Sequence, residues 1–202
     1  MFPIQLKQAI RALLHLLDSG VKPENIQLVG DSAGGNLIHQ VLSHLLHPYD
    51  GIPVVDLSAP LAGAYMMCPW MTLRDDPILH NNDGQGDIVD GPILAYWGNI
   101  VMENAAITAV PYLEPNSAPE DWLEGVDKKV KRILVSIGEN EALRDACFKY
   151  GRTLEKHHKD ATQFLDVGGV HVEPYLPFLA QDTQNLGTVT PFLIDWMDQS
   201  FA

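Results

Sequence analysis

The sequence predicts an α/β fold, a doubly wound and mostly parallel sheet in a single domain, and three observations carry that reading. Short apolar runs at Ile26–Val29, Leu61–Cys68, Arg132–Ile137 and Thr162–Val167 read as strands, and the two middle ones are apolar almost throughout, as strands buried on both faces are. Segments with helical periodicity alternate with these runs. The 202 residues are 46% hydrophobic, enough for one sizeable core and not a demand for two.

In chain order, Pro3 to Ser19 places Leu6, Ile10, Leu13, Leu14 and Leu17 on one face with Lys7, Gln8 and Arg11 elsewhere, an amphipathic helix closed by Gly20. A loop through Pro23 and Asn25 leads into the Ile26 strand, which runs into Gly30-Asp31-Ser32-Ala33-Gly34. Strand, sharp turn and helix around G-x-S-x-G are the context of a nucleophile elbow, with Ser32 at its tip. The glycines two before and two after are expected where a β-carbon would strike neighbouring backbone. The helix that follows carries Leu37, Ile38, Val41, Leu42, Leu45 and Leu46 and is stopped by Pro48. Its His44 and His47 read as surface or half-buried groups, not ligands, since no carboxylate or cysteine accompanies them. The next strand ends at Pro69. From Thr72 to Lys131 the chain changes character, with Asp75-Asp76-Pro77 and Asn81-Asn82-Asp83-Gly84 around an apolar helical piece at Ile93–Val101. So long an excursion between strands reads as a lid or binding insertion within the one domain. Tyr96, Trp97 and Met102 there either line an apolar pocket or pack the lid onto the core. A strand at 132–137, a helix at 142–158, a strand at 162–167 and a last helix at 189–200 complete the alternation.

Ligands and catalytic groups gather at the carboxyl ends of strands in such a sheet, and Ser32, Glu141 and His171 all fall there. Serine holds its proton at neutral pH and needs a neutral imidazole to take it, which is the role of His171. The other ring N–H must then face a carboxylate, and Glu141 is preferred over its neighbours Glu139 and Asp145, the latter better placed to pair with Arg144 or Lys149. The Ala33 amide at the helix N-terminus is the evident oxyanion donor, and Asp31 beside the serine joins Tyr96 and Trp97 as a candidate substrate-binding residue.

The formal net charge of -13 and pI near 4.8 oppose binding to nucleic acid or to an anionic membrane surface. No run reaches the roughly 18 apolar residues of a membrane span, and Met1–Gln8 lacks the basic start and apolar core of a signal peptide, so a cytoplasmic location is expected. Cys68 and Cys147 read as buried free thiols, and neither a metal site nor a cofactor is expected.

Gly30-Asp-Ser-Ala-Gly-Gly35, Gly138-Glu-Asn-Glu-Ala-Leu-Arg-Asp145, Gly169-Val-His171 and the Pro119-Glu-Asp-Trp122 stretch together resemble the hormone-sensitive-lipase-like α/β-hydrolases, particularly fungal esterases. The resemblance implies an α/β-hydrolase fold with a lid-like insertion and a serine carboxylic-ester hydrolase that acts on a small or medium acyl ester or lactone through an acyl-enzyme. In the second block the family's acid is the fourth residue, here Glu141. Family members also carry upstream strands and a His-Gly-Gly loop that completes the oxyanion hole, and this sequence contains no such motif. An N-terminally shortened, partial version of the fold is therefore expected, with Ile26–Val29 as an exposed sheet edge through which the chain forms a homo-oligomer. Two other readings stay open: a hydrolase-fold binding protein of impaired catalysis, as gibberellin receptors are, and a non-hydrolytic condensation or cyclisation enzyme of secondary metabolism.

Overall fold

The computed structural model describes residues 2–182 and 184–201. Helix α1 (Ile4–Asp18) leads through a 3-10 turn at Pro23–Asn25 into strand β1 (Gln27–Asp31), then α2 (Ala33–Leu46) and β2 (Gly63–Met67). The long β2–β3 connection holds α3 (Gly91–Met102), the short α4 (Val110–Leu113) and several 3-10 turns, and β3 (Ile133–Gly138), α5 (Arg144–His157) and β4 (Ala161–Asp166) follow. A one-turn helix α6 (Leu176–Leu179) and α7 (Val189–Ser200) end the described chain.

The four strands form one parallel sheet in the order β1-β2-β3-β4. Its registers, Gly30 opposite Met66, Met66 opposite Val135 and Val135 opposite Gln163, bring all four carboxyl ends to one rim. Side chains alternate across a strand, so the apolar runs of β2 and β3 feed two cores at once. Ala64, Met66, Ile133, Val135 and Ile137 join the large core with α1, α2, α5 and the β2–β3 connection. Tyr65, Met67 and Leu134 face the other way, where Trp196 of α7 closes over them with Phe192 and Met197 beside it. Every residue of β2 and β3 is buried, as their near-continuous hydrophobicity requires. β1 pairs only with β2 among the described residues, and Val29 is 57% exposed.

The connection lies tight against the body. A β-carbon on Gly98 would stand 1.7 Å from the Leu73 carbonyl oxygen, so only glycine lets α3 pass over that segment. At its start His80 is held between the carboxylates of Asp75 and Asp83, each at 2.9 Å, while Asp83 also accepts from the Gly91 amide that opens α3. No helix among the described residues is long and apolar enough to cross a membrane.

One expectation is corrected. His44 is fully buried instead of half-exposed, because its ring serves the chain turn after α2, with Nε2 donating to the Pro53 carbonyl and Nδ1 accepting from the Tyr49 amide. His47 is half-buried, stacked on Trp122 with Nε2 donating to its carbonyl.

Candidate active site

Ser32 links β1 to α2 with φ 51° and ψ -116°, a backbone shape that non-glycine residues seldom adopt and that must be held by its surroundings. The Ser32 amide donates to the Met67 carbonyl at 2.9 Å, and its carbonyl accepts from the Trp70 and Asn36 amides. Asn36, buried in the first turns of α2, donates to the carbonyls of Trp70 and Leu113 and so ties the elbow to the end of β2 and to α4. A β-carbon on Gly30 would lie 2.6 Å from the carbonyl carbon and oxygen of Gly34, so the first elbow glycine is there to let the turn close. Gly34 differs from expectation, with no atom within 4 Å of a β-carbon placed there. The second close approach belongs instead to Gly35, whose β-carbon would sit 2.6 Å from that of Pro69.

Glu141 stands in the turn between β3 and α5 and is 0% exposed. Its Oε1 accepts from the Gly138 amide at 2.9 Å, and its Oε2 lies 2.9 Å from His171 Nδ1. A carboxylate accepts only, so Nδ1 carries the proton and Nε2 is left as a lone-pair nitrogen. Among the described residues neither Ser32 Oγ nor His171 Nε2 is engaged in a hydrogen bond. The two rival carboxylates are occupied elsewhere. Glu139 Oε2 accepts from the Gly168 amide at 2.7 Å, and Asp145 takes Arg144 Nε at 2.8 Å and Asn81 Nδ2 at 2.7 Å. The Arg144 hydrogen bond is the main cause that holds the Asp145 carboxyl below its ordinary value.

The loop after β4 carries His171, 4% exposed, across the sheet rim toward the elbow. The Val172 amide donates to Cys68 Sγ at 3.4 Å, and Tyr175 donates its hydroxyl to Asp31 Oδ1 at 3.3 Å, immediately before the serine. Asp31, expected to touch substrate, thus anchors this loop in the present structure. Cys68 lies with its sulfur within 4.8 Å of the facing atoms of Glu141 and His171. Burial first, and the Glu141 charge second, push its thiol well up, so it stands as a neutral neighbour of the pair. Both cysteines are free and buried.

A cavity of about 510 Å³ opens beside the elbow, with Ala33 and Gly34 at one side and Leu37, Leu73, Ile100 and Leu113 among its walls. None of the residues around it is charged. Tyr96 and Trp97 are not among them. They stand 62% and 44% exposed, while Ile100 and Val101, one turn further along the same helix, line the cavity. A larger depression of about 720 Å³ lies around Trp122, Asp127 and Lys156, at the far end of α2 and away from Ser32.

Sequence reasoning passed over Asp87 and Asn82. Asp87 Oδ1 accepts from the His171 amide at 2.7 Å and Oδ2 from the Ala142 amide at 2.8 Å, while Asn82 Nδ2 donates to the Glu141 carbonyl at 2.9 Å. Both sit in a polar, glycine-rich run, which reads as loop and carries no periodic or motif signal that would single them out.

A family model described as alpha/beta hydrolase fold matches residues 1–174. No curated protein is a significant match to the chain. Among solved structures, an esterase/lipase from an uncultured bacterium is 22% identical at a TM-score of 0.71, with 99% of this chain and 61% of that one covered. An esterase from the bacterial hormone-sensitive lipase family is 24% identical at a TM-score of 0.72, with 100% and 62% covered. Carboxyl esterase 2 from the mycorrhizal fungus Tuber melanosporum is 20% identical at 0.60, with 81% and 51% covered. The chain thus spans about three fifths, or less, of the length of the structures it resembles.

Proposed function

Because the chain belongs to the alpha/beta hydrolase fold family, we propose that it is a serine carboxylic-ester hydrolase, acting on a small or medium acyl ester or lactone through an acyl-enzyme at Ser32. The observation that carries this reading is the buried 2.9 Å contact between Glu141 Oε2 and His171 Nδ1, which leaves Nε2 as the one basic nitrogen of the loop that reaches over the elbow. In the reaction, Ser32 Oγ attacks the ester carbonyl carbon and its proton passes to His171 Nε2. The carbonyl oxygen takes the negative charge and accepts from the Ala33 amide, at the positive end of α2. Collapse breaks the bond to the alkoxy oxygen, which leaves as alcohol with the proton from Nε2. Water, giving its proton to the same nitrogen, then releases the acid and restores Ser32. The buried Glu141 carboxylate stabilises the imidazolium in both halves without taking its proton.

The cavity beside Ala33 supports the choice of substrate. Its uncharged walls suit an apolar acyl or alkyl group, and a volume of about 510 Å³ lies within the size range of small-molecule sites. The reading is tested by incubation with a fluorophosphonate probe and location of the adduct by mass spectrometry. A single adduct on Ser32 is expected, and a folded protein that labels nowhere, or at another residue, overturns it.

A further inference from the structure

We propose that Asp87, in the β2–β3 connection, is a positioning residue that fixes the histidine and the acid in register with each other. The inference rests on the esterase reading for its consequence in catalysis, but its geometry stands apart from it. Asp87 is half-buried and spends both carboxylate oxygens on backbone amides of two other loops. Oδ1 takes the amide of His171 itself, together with the neighbouring Ile88 amide at 2.9 Å, and Oδ2 takes the amide of Ala142, the residue directly after Glu141. Bonds of 2.7 and 2.8 Å to an ionised acceptor are short and strong for N–H donors.

One side chain therefore spans the gap that the Glu141–His171 contact must also span, and both bridges run between the same two backbones. The two loops also meet where Asn140 donates its amide to the Gly169 carbonyl at 2.8 Å and Nδ2 to the Gly168 carbonyl at 3.1 Å, and Asp87 adds the tie at the amide of His171 itself. Asn82, five residues earlier, braces the same turn through the Glu141 carbonyl. Without Asp87 the two loops stay joined through Glu139 and Asn140, but the His171 amide loses its tie to the chain beside Glu141, and a ring held by a single carboxylate oxygen can rotate or exchange tautomers. A misplacement of about 1 Å at a reacting group costs on the order of a hundredfold in rate. Asparagine at the same place keeps one carbonyl oxygen but turns an amide N–H toward a backbone N–H, so it supports one loop and repels the other.

The test uses Asp87→Asn and Asp87→Ala, compared with the parent chain in steady-state hydrolysis of a short-chain p-nitrophenyl ester and in nitrogen-15 NMR of the histidine rings. We expect kcat to fall about ten- to a hundredfold in Asp87→Ala, less in Asp87→Asn, with KM within about twofold. The His171 ring is expected to change from a single Nδ1–H form in the parent to an averaged pattern of both tautomers in Asp87→Ala. Asp87→Asn, close in shape, guards against a variant that fails to fold. A parent chain with no hydrolysis and no probe adduct at Ser32 would sink the esterase reading alone, since the ring signature still decides the role of Asp87. An unchanged His171 signature in a folded Asp87→Ala protein overturns the proposal, whatever the rate.

Discussion

Glu141 and Asp145 lie four residues apart, yet the first sits at 0% exposure against an imidazole and the second is tied to Arg144 and Asn81 near the surface. Environment, not residue type, separates their roles. Glu141→Gln keeps the shape but removes the charge that favours the imidazolium, so kcat is expected to fall by about a hundredfold to ten-thousandfold in ester hydrolysis assays. His39 gives a second prediction at this scale. It is buried between the Tyr150 hydroxyl, at 2.9 Å from Nδ1, and the Pro111 carbonyl, at 2.9 Å from Nε2, and burial lowers its pKa to about 4 from 6.5 despite the opposing Pro111 bond. The unfolded chain thus binds the proton more readily, and the stability His39 contributes is present above about pH 6.5 and lost as pH falls toward 4. The loss amounts to ~3 kcal/mol over that window. Urea unfolding at pH 7 and pH 4.5 measures it, and His39→Gln should flatten the difference. The sequence placed Ser32, Glu141 and His171 at strand ends because a glycine-framed motif and a strand boundary are local signals. Asp87 was illegible because its partners are main-chain amides of distant loops, and a backbone acceptor needs no matching residue type.

At the level of elements, the apolar runs were enough to find all four strands, since burial on two faces leaves β2 and β3 almost wholly apolar, with the Ser136 hydroxyl paired to that of Tyr65 at 2.8 Å. The start of α5 was less clear. Asn140 to Leu143 form a turn that swings Glu141 inward, and the helical pattern read from Ala142 begins in the structure at Arg144. On α3 the cavity wall comes from Ile100 and Val101, one turn beyond Tyr96 and Trp97, a step along one helix face that apolar periodicity does not distinguish. The elbow yields a paired prediction. Gly30→Ala forces a β-carbon against the backbone of Gly34 and is expected to cost about 3 kcal/mol in thermal or denaturant unfolding. Gly34→Ala meets nothing within 4 Å and lies in the first turn of α2, so its stability should stay level or rise by ~0.5–1 kcal/mol. Equal losses in the two variants would show that the elbow is held by something other than this close approach.

Taken whole, the molecule has an unequal sheet. β2 and β3 are buried throughout, whereas β1 pairs with no strand but β2 among the described residues, and Val29 is 57% exposed beside that edge. An open, apolar strand edge is a template for pairing with another chain. The isolated 202-residue chain is expected to self-associate with rising concentration, opposed at low salt by its net charge of -13. Light scattering behind size-exclusion chromatography decides this, and a monomer at every concentration and ionic strength refutes it. The β2–β3 connection has a different consequence. It supplies Leu73 and Ile100 to the cavity wall, and the same stretch of chain supplies Asn82 and Asp87 to the backbones of Glu141 and His171. On the esterase reading, substrate range and turnover are thus inherited on one segment. A recombined library that swaps this connection between relatives trades both traits together, whereas point changes at Ile100 and Val101 alter the cavity and leave residues 82–87 in place.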